Sequence, residues 1–96
     1  MTYQLSPGTL AACKAIFAQH QHTVHSIIDA VAAQTGIPAR QIMSRDRDAP
    51  TARARQIVMY EARKAGLSYP QIAKVMGRDH TSIIHGVRTE EKRRAQ

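Results

Sequence analysis

The sequence is poor in cysteine, in aromatic residues and in long apolar stretches. Cys13 is the only cysteine in 96 residues, so no intramolecular disulfide can form, and we expect a reducing, cytoplasmic setting. Only four residues are aromatic, three tyrosines and one phenylalanine. No run approaches the roughly 18 apolar residues of a membrane span. Residues 1–5 also lack the basic start and apolar run of a signal peptide. These absences exclude a disulfide scaffold, an exported protein and a membrane partner.

Acidic residues are outnumbered by basic ones, and this imbalance is confined to one part of the chain. Lysine and arginine number 14 against seven aspartate and glutamate residues, which gives a formal net charge of +7. Residues 1–39 contain only Lys14 and Asp29, so the whole surplus lies in residues 40–96. A one-sided basic surplus suits a polyanion, because lysine and arginine displace condensed counterions from phosphates. A basic surface that serves only solubility is the alternative.

The length and the apolar spacing set the fold class. A chain of 96 residues supports one modest core rather than an enclosed active site, and a hydrophobic content of 43% is too high for disorder. The apolar residues recur at helical spacing, with no β-alternation and no internal repeat. We therefore expect an all-α domain of about five helices, with no enzyme activity, no cofactor and no small-molecule substrate.

The first part of the chain is predicted to form two helices. Ser6-Pro7 supplies a cap and a first turn for a helix that ends near Gln19. Thr23 caps a second helix that ends at Gly36. We assign residues 1–22 to an N-terminal extension and residues 23–96 to the main domain. The residues expected to face the core are Leu10, Cys13, Ile16 and Phe17 in the first helix and Val24, Ile27, Ile28 and Val31 in the second.

The second part is predicted to contain a loop and three helices. Residues 39–50 are interpreted as a loop with an exposed basic tip, and Thr51 is expected to cap a third helix that stops at Gly66. A short helix over 69–76 follows, with Ser68 as its cap and Pro70 in its first turn. After Gly77, Asp79 is expected to cap a last helix from His80 to about Arg93. Two helices joined by a tight glycine-containing turn form a helix-turn-helix.

The start of that last helix carries the residues suited to reading DNA. In a helix-turn-helix, the second helix presents its N-terminal residues to the base edges of the major groove. Aspartate accepts a hydrogen bond from the cytosine amino group, threonine offers a hydroxyl and a methyl group, and arginine binds guanine or phosphate. The alternative is that these residues serve only as a helix cap and first turn. The segment concerned is Arg78, Asp79, His80, Thr81 and Ser82.

Two runs give the chain a resemblance to a known family. They are Ala54-Arg55-Gln56-Ile57-Val58-Met59-Tyr60 and Gly77-Arg78-Asp79-His80-Thr81-Ser82-Ile83-Ile84-His85. With them, residues from about 24 to 88 resemble the C-terminal DNA-binding domain of the bacterial replication initiator DnaA.

The resemblance implies base contacts in the major groove from Asp79, His80 and Thr81. It also implies a minor-groove arginine from the basic loop, with Arg47 first and Arg45 next. Arg55 is implied to lie against the DNA, and Arg78 is counted with the base contacts. The residues expected to contact the DNA backbone or to support these contacts are Arg45, Arg53, Arg55, Ser68, Tyr69, Pro70, Lys74, Ser82 and Arg88.

The sequence departs from the family pattern in three places. The family has two glycines before the Arg-Asp-His-Thr run, whereas Met76-Gly77-Arg78 supplies one, and the connection around Gly66 is one residue shorter. No Gly-x-x-x-x-Gly-Lys-Ser/Thr phosphate-binding loop occurs in these residues. If Met1 is the natural start, we expect a stand-alone relative without the ATPase domain.

The function expected from these observations is sequence-specific binding of double-stranded DNA, in replication control or transcriptional regulation, at the nucleoid. A protein-interaction adaptor on a DNA-binding fold is one alternative. RNA binding is another, although only Tyr3, Tyr60 and Tyr69 are candidates for stacking on bases. The target sequence and the oligomeric state stay open.

Two other signals are set aside. His20, His22 and His25 form a cluster that could ligate a metal together with Cys13, but the spacing is not typical of a tetrahedral site. We therefore predict no metal. Cys13 lies on the apolar stripe of the first helix, which indicates a core residue rather than a nucleophile.

The confined charge generates a first prediction. If the basic half contacts about four to six phosphates, the logarithm of the duplex binding constant should fall with the logarithm of salt concentration at a slope of about −3 to −6. Fluorescence anisotropy with a labelled duplex, over a series of salt concentrations, measures that slope. A slope near zero would remove phosphate contact as the source of affinity.

Overall fold

The computed structural model describes residues 7–96, and for Pro7, Thr9 and Leu10 it describes only the backbone. This part of the chain contains five α-helices. The predicted all-α class is confirmed. None of the helices in this part of the chain is both long enough and apolar enough to cross a membrane. Ser6 of the predicted cap and the side chain of Leu10 lie outside the described residues. The helices are α1 (Pro7–Thr35), α2 (Ala39–Ile42), α3 (Ala49–Lys64), α4 (Tyr69–Met76) and α5 (His80–Arg94).

The predicted break between two N-terminal helices is wrong, because α1 is continuous for 29 residues. The sequence between Gly8 and Gly36 contains no glycine or proline that would end a helix. Thr23, expected to cap a second helix, donates its hydroxyl instead to the carbonyl of Gln19 at 3.0 Å. This bond to the residue four positions earlier belongs to a helix interior. The end at Gly36 is as predicted, and Gly36 has a φ of +76°.

The first turns of α1 extend beyond the core. Cys13 is exposed and Ile16 is 51% exposed, so their predicted burial is wrong. Phe17 is half-buried. From residue 24 onward the predicted stripe is largely confirmed, with Val24, Ile28 and Val31 buried and Ile27 half-buried. Only the second half of α1 therefore packs fully on the rest of the domain.

Residues 39–50 are more ordered than the predicted loop. Pro38 precedes the single turn of α2, and α3 already begins at Ala49. Its N-cap is Asp48 rather than the predicted Thr51. The Asp48 carboxylate accepts the Thr51 amide at 3.2 Å and the Thr51 hydroxyl at 2.6 Å. Both bonds lower the pKa of Asp48, and the bond from the Thr51 hydroxyl has the larger effect. The basic loop is thus reduced to residues 43–48.

Helices α4 and α5 form the predicted helix-turn-helix. Ser68 and Gln71 make a reciprocal capping box at the start of α4, with Pro70 in the first turn. Gly77 ends α4 in the left-handed conformation, with a φ of +65° that other residues rarely adopt. Asp79 occupies the N-cap position of α5 in an extended conformation. The turn between the helices is therefore only Gly77, Arg78 and Asp79.

The core forms around α3, which contacts each of the other four helices. Its buried apolar residues are Ala54, Val58, Met59 and Ala62. The other helices and the connection before α4 complete the core with Ile42, Leu67, Ile72, Ala73, Met76, Ile83 and Val87, besides the three residues of α1. The start of α5 is thereby fixed relative to α3.

Helices α3 and α5 approach most closely at Gly86. A Cβ atom placed on this glycine would overlap the sulfur of Met59, which is buried. Relief of this overlap requires the Met59 side chain, which is 4% exposed, to move. Gly86 therefore sets the spacing between α3 and α5.

Gly86→Ala should lower the free energy of unfolding by about 1 kcal/mol, because an overpacking cost of about 2 kcal/mol outweighs the gain in helix propensity of about 1 kcal/mol. Urea denaturation followed by circular dichroism measures the change. Gly8→Ala is the control, since a Cβ there meets nothing within 4 Å, and it should cost no stability. A Gly86→Ala protein as stable as the wild type would contradict the close approach.

Arg55 ties the basic loop to α3. The resemblance implied that Arg55 lies against the DNA, and its side chain is only 7% exposed in the folded chain. Its Nε donates to the carbonyl of Ile42 at 3.0 Å, and its Nη2 donates to the carbonyls of Ser44 and Asp46 at 2.8 and 3.0 Å. Burial lowers the pKa of Arg55, and the charges of Asp46 and Asp48 oppose that shift. Arg55 thus bonds three carbonyls of the backbone between Ile42 and Asp46.

Arg55→Lys should lower the free energy of unfolding by about 1–3 kcal/mol, because one ammonium group cannot reach three carbonyls that a guanidinium fork reaches together. Arg53→Lys is a matched control on the same helix, since Arg53 is exposed, and it should change stability by less than about 0.5 kcal/mol. Equal urea midpoints for the two variants would contradict the role assigned to Arg55.

Candidate nucleic-acid interface

The start of α5 presents four exposed polar side chains, those of Asp79, His80, Thr81 and Ser82. They face outward because Ile83 and Val87 anchor the opposite side of the helix in the core. The predicted cap position of Asp79 is confirmed, but within residues 7–96 its carboxylate accepts no capping hydrogen bond. The first turn of α5 therefore offers acceptor and donor groups that the fold does not use.

The basic loop and the turn of the helix-turn-helix are joined by two hydrogen bonds. The Arg78 guanidinium, on the turn, donates to the carbonyl of Ser44 in the loop. In the opposite direction, Arg45 Nη2 in the loop donates to the carbonyl of Gly77 at 3.4 Å. The partners are more than 30 positions apart in the sequence. The loop that carries Arg47 is thus fixed beside the start of α5.

This junction concentrates positive charge. The pKa of Arg78 is lowered by burial and then by the neighbouring charges of Arg55 and Arg45. Among the described residues, the hydrogen-bond partners of these three guanidinium groups are backbone carbonyls and not carboxylates. Their charge is therefore not neutralised by direct pairing, and an anion placed here would be attracted.

A groove of about 360 Å³ runs between α3 and α5 beside the same junction. It brings Arg55 and Arg78 together with Thr81 and Ser82. Two further lining residues, Gln56 and His85, were not among the predicted site residues. His85 lies one helical turn after Thr81, so the helical period alone indicates that it shares the same face.

Other basic residues are engaged within the fold. Glu90 is only 4% exposed and pairs with both Arg93 and Arg94, and Arg94 also bonds Glu61 at 3.1 Å. The pairing with Glu90 raises the pKa of Arg94. These arginines join the end of α5 to α3. Lys74, predicted to contact the DNA backbone, lies over the ring of Phe17 at 4.6 Å and so faces α1.

The remaining predicted residues are spread around the junction. Arg47, Arg53 and Arg88 are exposed. Ser68, Tyr69 and Pro70 lie at the start of α4, about 12 Å from the turn at the rise of an eight-residue helix. The structure therefore brings Arg45, Arg55, Arg78, Thr81 and Ser82 into one region. The start of α4 lies at the far end of its helix from that region.

The family model for the bacterial DnaA protein helix-turn-helix matches residues 24–89. Similar proteins include the chromosomal replication initiator protein DnaA of Sphingopyxis alaskensis, which is 39% identical over 71 residues, covering 72% of this chain and 16% of the relative. The DnaA of Neisseria gonorrhoeae is 37% identical over 76 residues, covering 77% and 15%. The DnaA of Herminiimonas arsenicoxydans is 40% identical over 70 residues, covering 71% and 15%.

The chain thus spans about one sixth of the length of the curated relatives it matches. No solved structure gives a significant match. The matched residues run from the buried part of α1 to the second half of α5 and include the whole helix-turn-helix, the basic loop and the groove beside them. This chain belongs to the bacterial DnaA helix-turn-helix family.

Proposed function

We propose that this chain binds double-stranded DNA with sequence preference, through the start of α5 in the major groove and the basic loop in the minor groove. The observation that carries the proposal is the exposed Asp79–Ser82 turn, beside which three arginines bond backbone carbonyls instead of carboxylates. The relatives are named chromosomal replication initiator proteins. We therefore place this binding at the nucleoid in the cytoplasm, in replication control or transcriptional regulation.

The major-groove assignment rests on which groups the fold leaves unused. The Asp79 carboxylate accepts no capping bond within the described part of the chain, so both its oxygens can accept from cytosine amino groups. His80 and Thr81 follow on the exposed side of the first turn and supply a ring donor, a hydroxyl and a methyl group. This end of a recognition helix is the one that enters the groove.

The minor-groove assignment rests on the loop. Arg47 is exposed, and its side chain makes no hydrogen bond to any of residues 7–96, whereas Arg45 is engaged with Gly77. Arg47 is therefore the better candidate for a narrow A·T-rich minor groove, where the negative potential attracts arginine. Its backbone stays in place because Arg55 holds the flanking carbonyls.

Backbone contacts are assigned by exposure and position. Arg53 and Arg88 are exposed cations on α3 and α5, and Ser82 and the start of α4 offer polar groups. Ser68, Tyr69 and Pro70 stand at a helix N-terminus, the end that favours phosphate. Contacts of this kind position the protein without reading sequence.

RNA binding through base stacking is disfavoured because cations of the chain lie over the aromatic rings that would stack on bases. Within residues 7–96, each aromatic ring is covered by a cation of the chain itself. Arg94 lies 4.1 Å from the centre of the Tyr60 ring, Arg63 lies 4.8 Å from that of Tyr69, and Lys74 covers Phe17. Single-stranded RNA readers need open aromatic faces. A protein-interaction adaptor stays the second candidate, and sequence preference separates it from a DNA reader.

His80→Ala and Thr81→Ala should each cost about 1–3 kcal/mol of binding free energy on the best duplex, with little effect on random duplex, because they remove base contacts. Arg88→Ala should weaken binding to both duplexes alike, because it removes a backbone contact. The best duplex is first selected from a random library by the wild-type chain, and affinities are then measured at one salt concentration.

Asp79→Ala is the less clean probe, because aspartate is also a good residue for an N-cap and its loss can cost stability of about 1 kcal/mol. Circular dichroism should show that the His80 and Thr81 variants are folded. If they are folded and keep the wild-type sequence preference undiminished, the major-groove assignment is wrong and the adaptor function is favoured.

A further inference from the structure

We propose that Arg78 is a positioning residue rather than a base contact, and that its bond to the Ser44 carbonyl makes the basic loop and the start of α5 act as one rigid reading unit. The sequence alone suggested a base contact for Arg78. The structure directs its guanidinium toward the loop and leaves the side chain half-buried. The DNA part of this inference rests on the proposed function.

The hydrogen bond from Arg78 reaches the loop at Ser44, a residue that several other bonds also hold. The Ser44 carbonyl accepts from Arg78 and also from Arg55 Nη2 at 2.8 Å, so one oxygen connects the turn, the loop and α3. Ser44 also uses its hydroxyl locally, since Oγ donates to the Gln41 carbonyl at 2.6 Å and accepts the Asp46 amide at 3.2 Å. Moving Ser44 would therefore move the backbone that carries Arg47.

The bond has an equally direct connection to the recognition helix. Arg78 immediately precedes Asp79, the N-cap residue of α5, and its amide donates to the Ala73 carbonyl of α4 at 3.0 Å. The Arg45 bond to the Gly77 carbonyl closes the same junction from the loop side. Two crossing bonds between segments more than 30 residues apart define the distance between loop and helix.

The junction also carries an electrostatic cost that a purely structural contact would avoid. Three guanidinium groups approach one another, and burial and the charges of Arg55 and Arg45 lower the pKa of Arg78. An apolar or amide side chain at position 78 would remove that repulsion. The arrangement gains when a polyanion is bound, because nearby phosphates lower the repulsion among the three cations.

Rigid connection has a measurable consequence for affinity. When two reading elements are fixed relative to each other, binding of the first presents the second at a high effective concentration. When the connection is loose, the second contact must first be ordered, and it contributes less. Loss of the Arg78 bond should therefore reduce the contribution of Arg47 to the binding affinity, although Arg78 and Arg47 do not contact each other's DNA groups in this proposal.

The first experiment uses the free protein and needs no DNA. Arg78→Met keeps an unbranched stem and removes the donor, and it should shift the amide resonances of residues 44–48 and speed hydrogen exchange of the Asp46 amide. Arg88→Met is the matched control, because it removes an equal charge from an exposed position of α5, and it should leave those resonances in place. Unchanged loop resonances in a folded Arg78→Met protein would overturn the proposal.

The second experiment is a double-mutant cycle on the duplex selected by the wild-type chain. Arg47→Ala should weaken binding about tenfold in the wild type and only about threefold or less in the Arg78→Met protein. In the Arg88→Met protein it should again cost about tenfold. If Arg78 were an independent base or phosphate contact, the two losses would multiply, and an unreduced Arg47 effect would overturn the proposal.

Folding of the variants is checked by circular dichroism before either experiment. If Arg78→Met does not fold, Arg45→Met removes the reciprocal bond from an exposed side chain and should reduce the Arg47 effect in the same direction. If the wild-type chain binds no duplex, the proposed function fails by itself. The loop resonances then decide whether Arg78 fixes the loop.

Discussion

The buried guanidinium of Arg55 is the interaction on which the arrangement of the basic loop depends. Removing a charged group from water is costly unless its donors are satisfied. Three backbone carbonyls, of Ile42, Ser44 and Asp46, satisfy this one. The cation and the segment from Ile42 to Asp46 therefore stabilise each other. A loop without regular structure thereby acquires a fixed position on α3.

The arginines fall into two groups, those that pair with carboxylates and those that bond backbone carbonyls. Arg93 and Arg94 pair with the buried Glu90 of the same helix, and they join α5 to α3 through Gln56 and Glu61. Arg45, Arg55 and Arg78 bond carbonyls, which hold their positions without cancelling their charge. The net charge of +7 is a property of the whole chain. The choice of partner determines which arginines are paired with a carboxylate, and those of the junction between the loop and the turn are not.

Local sequence signals predicted the helix-turn-helix correctly, but they did not predict the extent of α1 or the start of α3. The Ser68, Pro70 and Gln71 pattern and the glycine at 77 act over four or five residues, so α4 and its end follow from the sequence. Thr23 was ambiguous, since a threonine hydroxyl can cap a helix or bond the carbonyl four residues earlier. At the start of α3, Asp48 and Thr51 are both capable caps. Pro50 in the first turn is compatible with Asp48, because that position needs no amide hydrogen.

Long-range relations were the part that the sequence could not supply. An arginine on an otherwise basic helix is expected to be solvated, and nothing within a turn of Arg55 indicates burial, because its acceptors lie nine to 13 positions earlier. Arg78 was likewise interpreted from its neighbours in the recognition turn, whereas its acceptor lies 34 positions away.

The bond between Arg78 and the distant Ser44 carbonyl also accounts for a turn with a single glycine. Gly77 supplies the left-handed residue that ends α4, and the Arg78 bond to the loop then fixes the direction in which the chain leaves toward α5. A second flexible residue there would add conformational entropy for the folded turn to lose. A side chain bonded across the junction removes that freedom instead, and it joins the start of α5 to the loop.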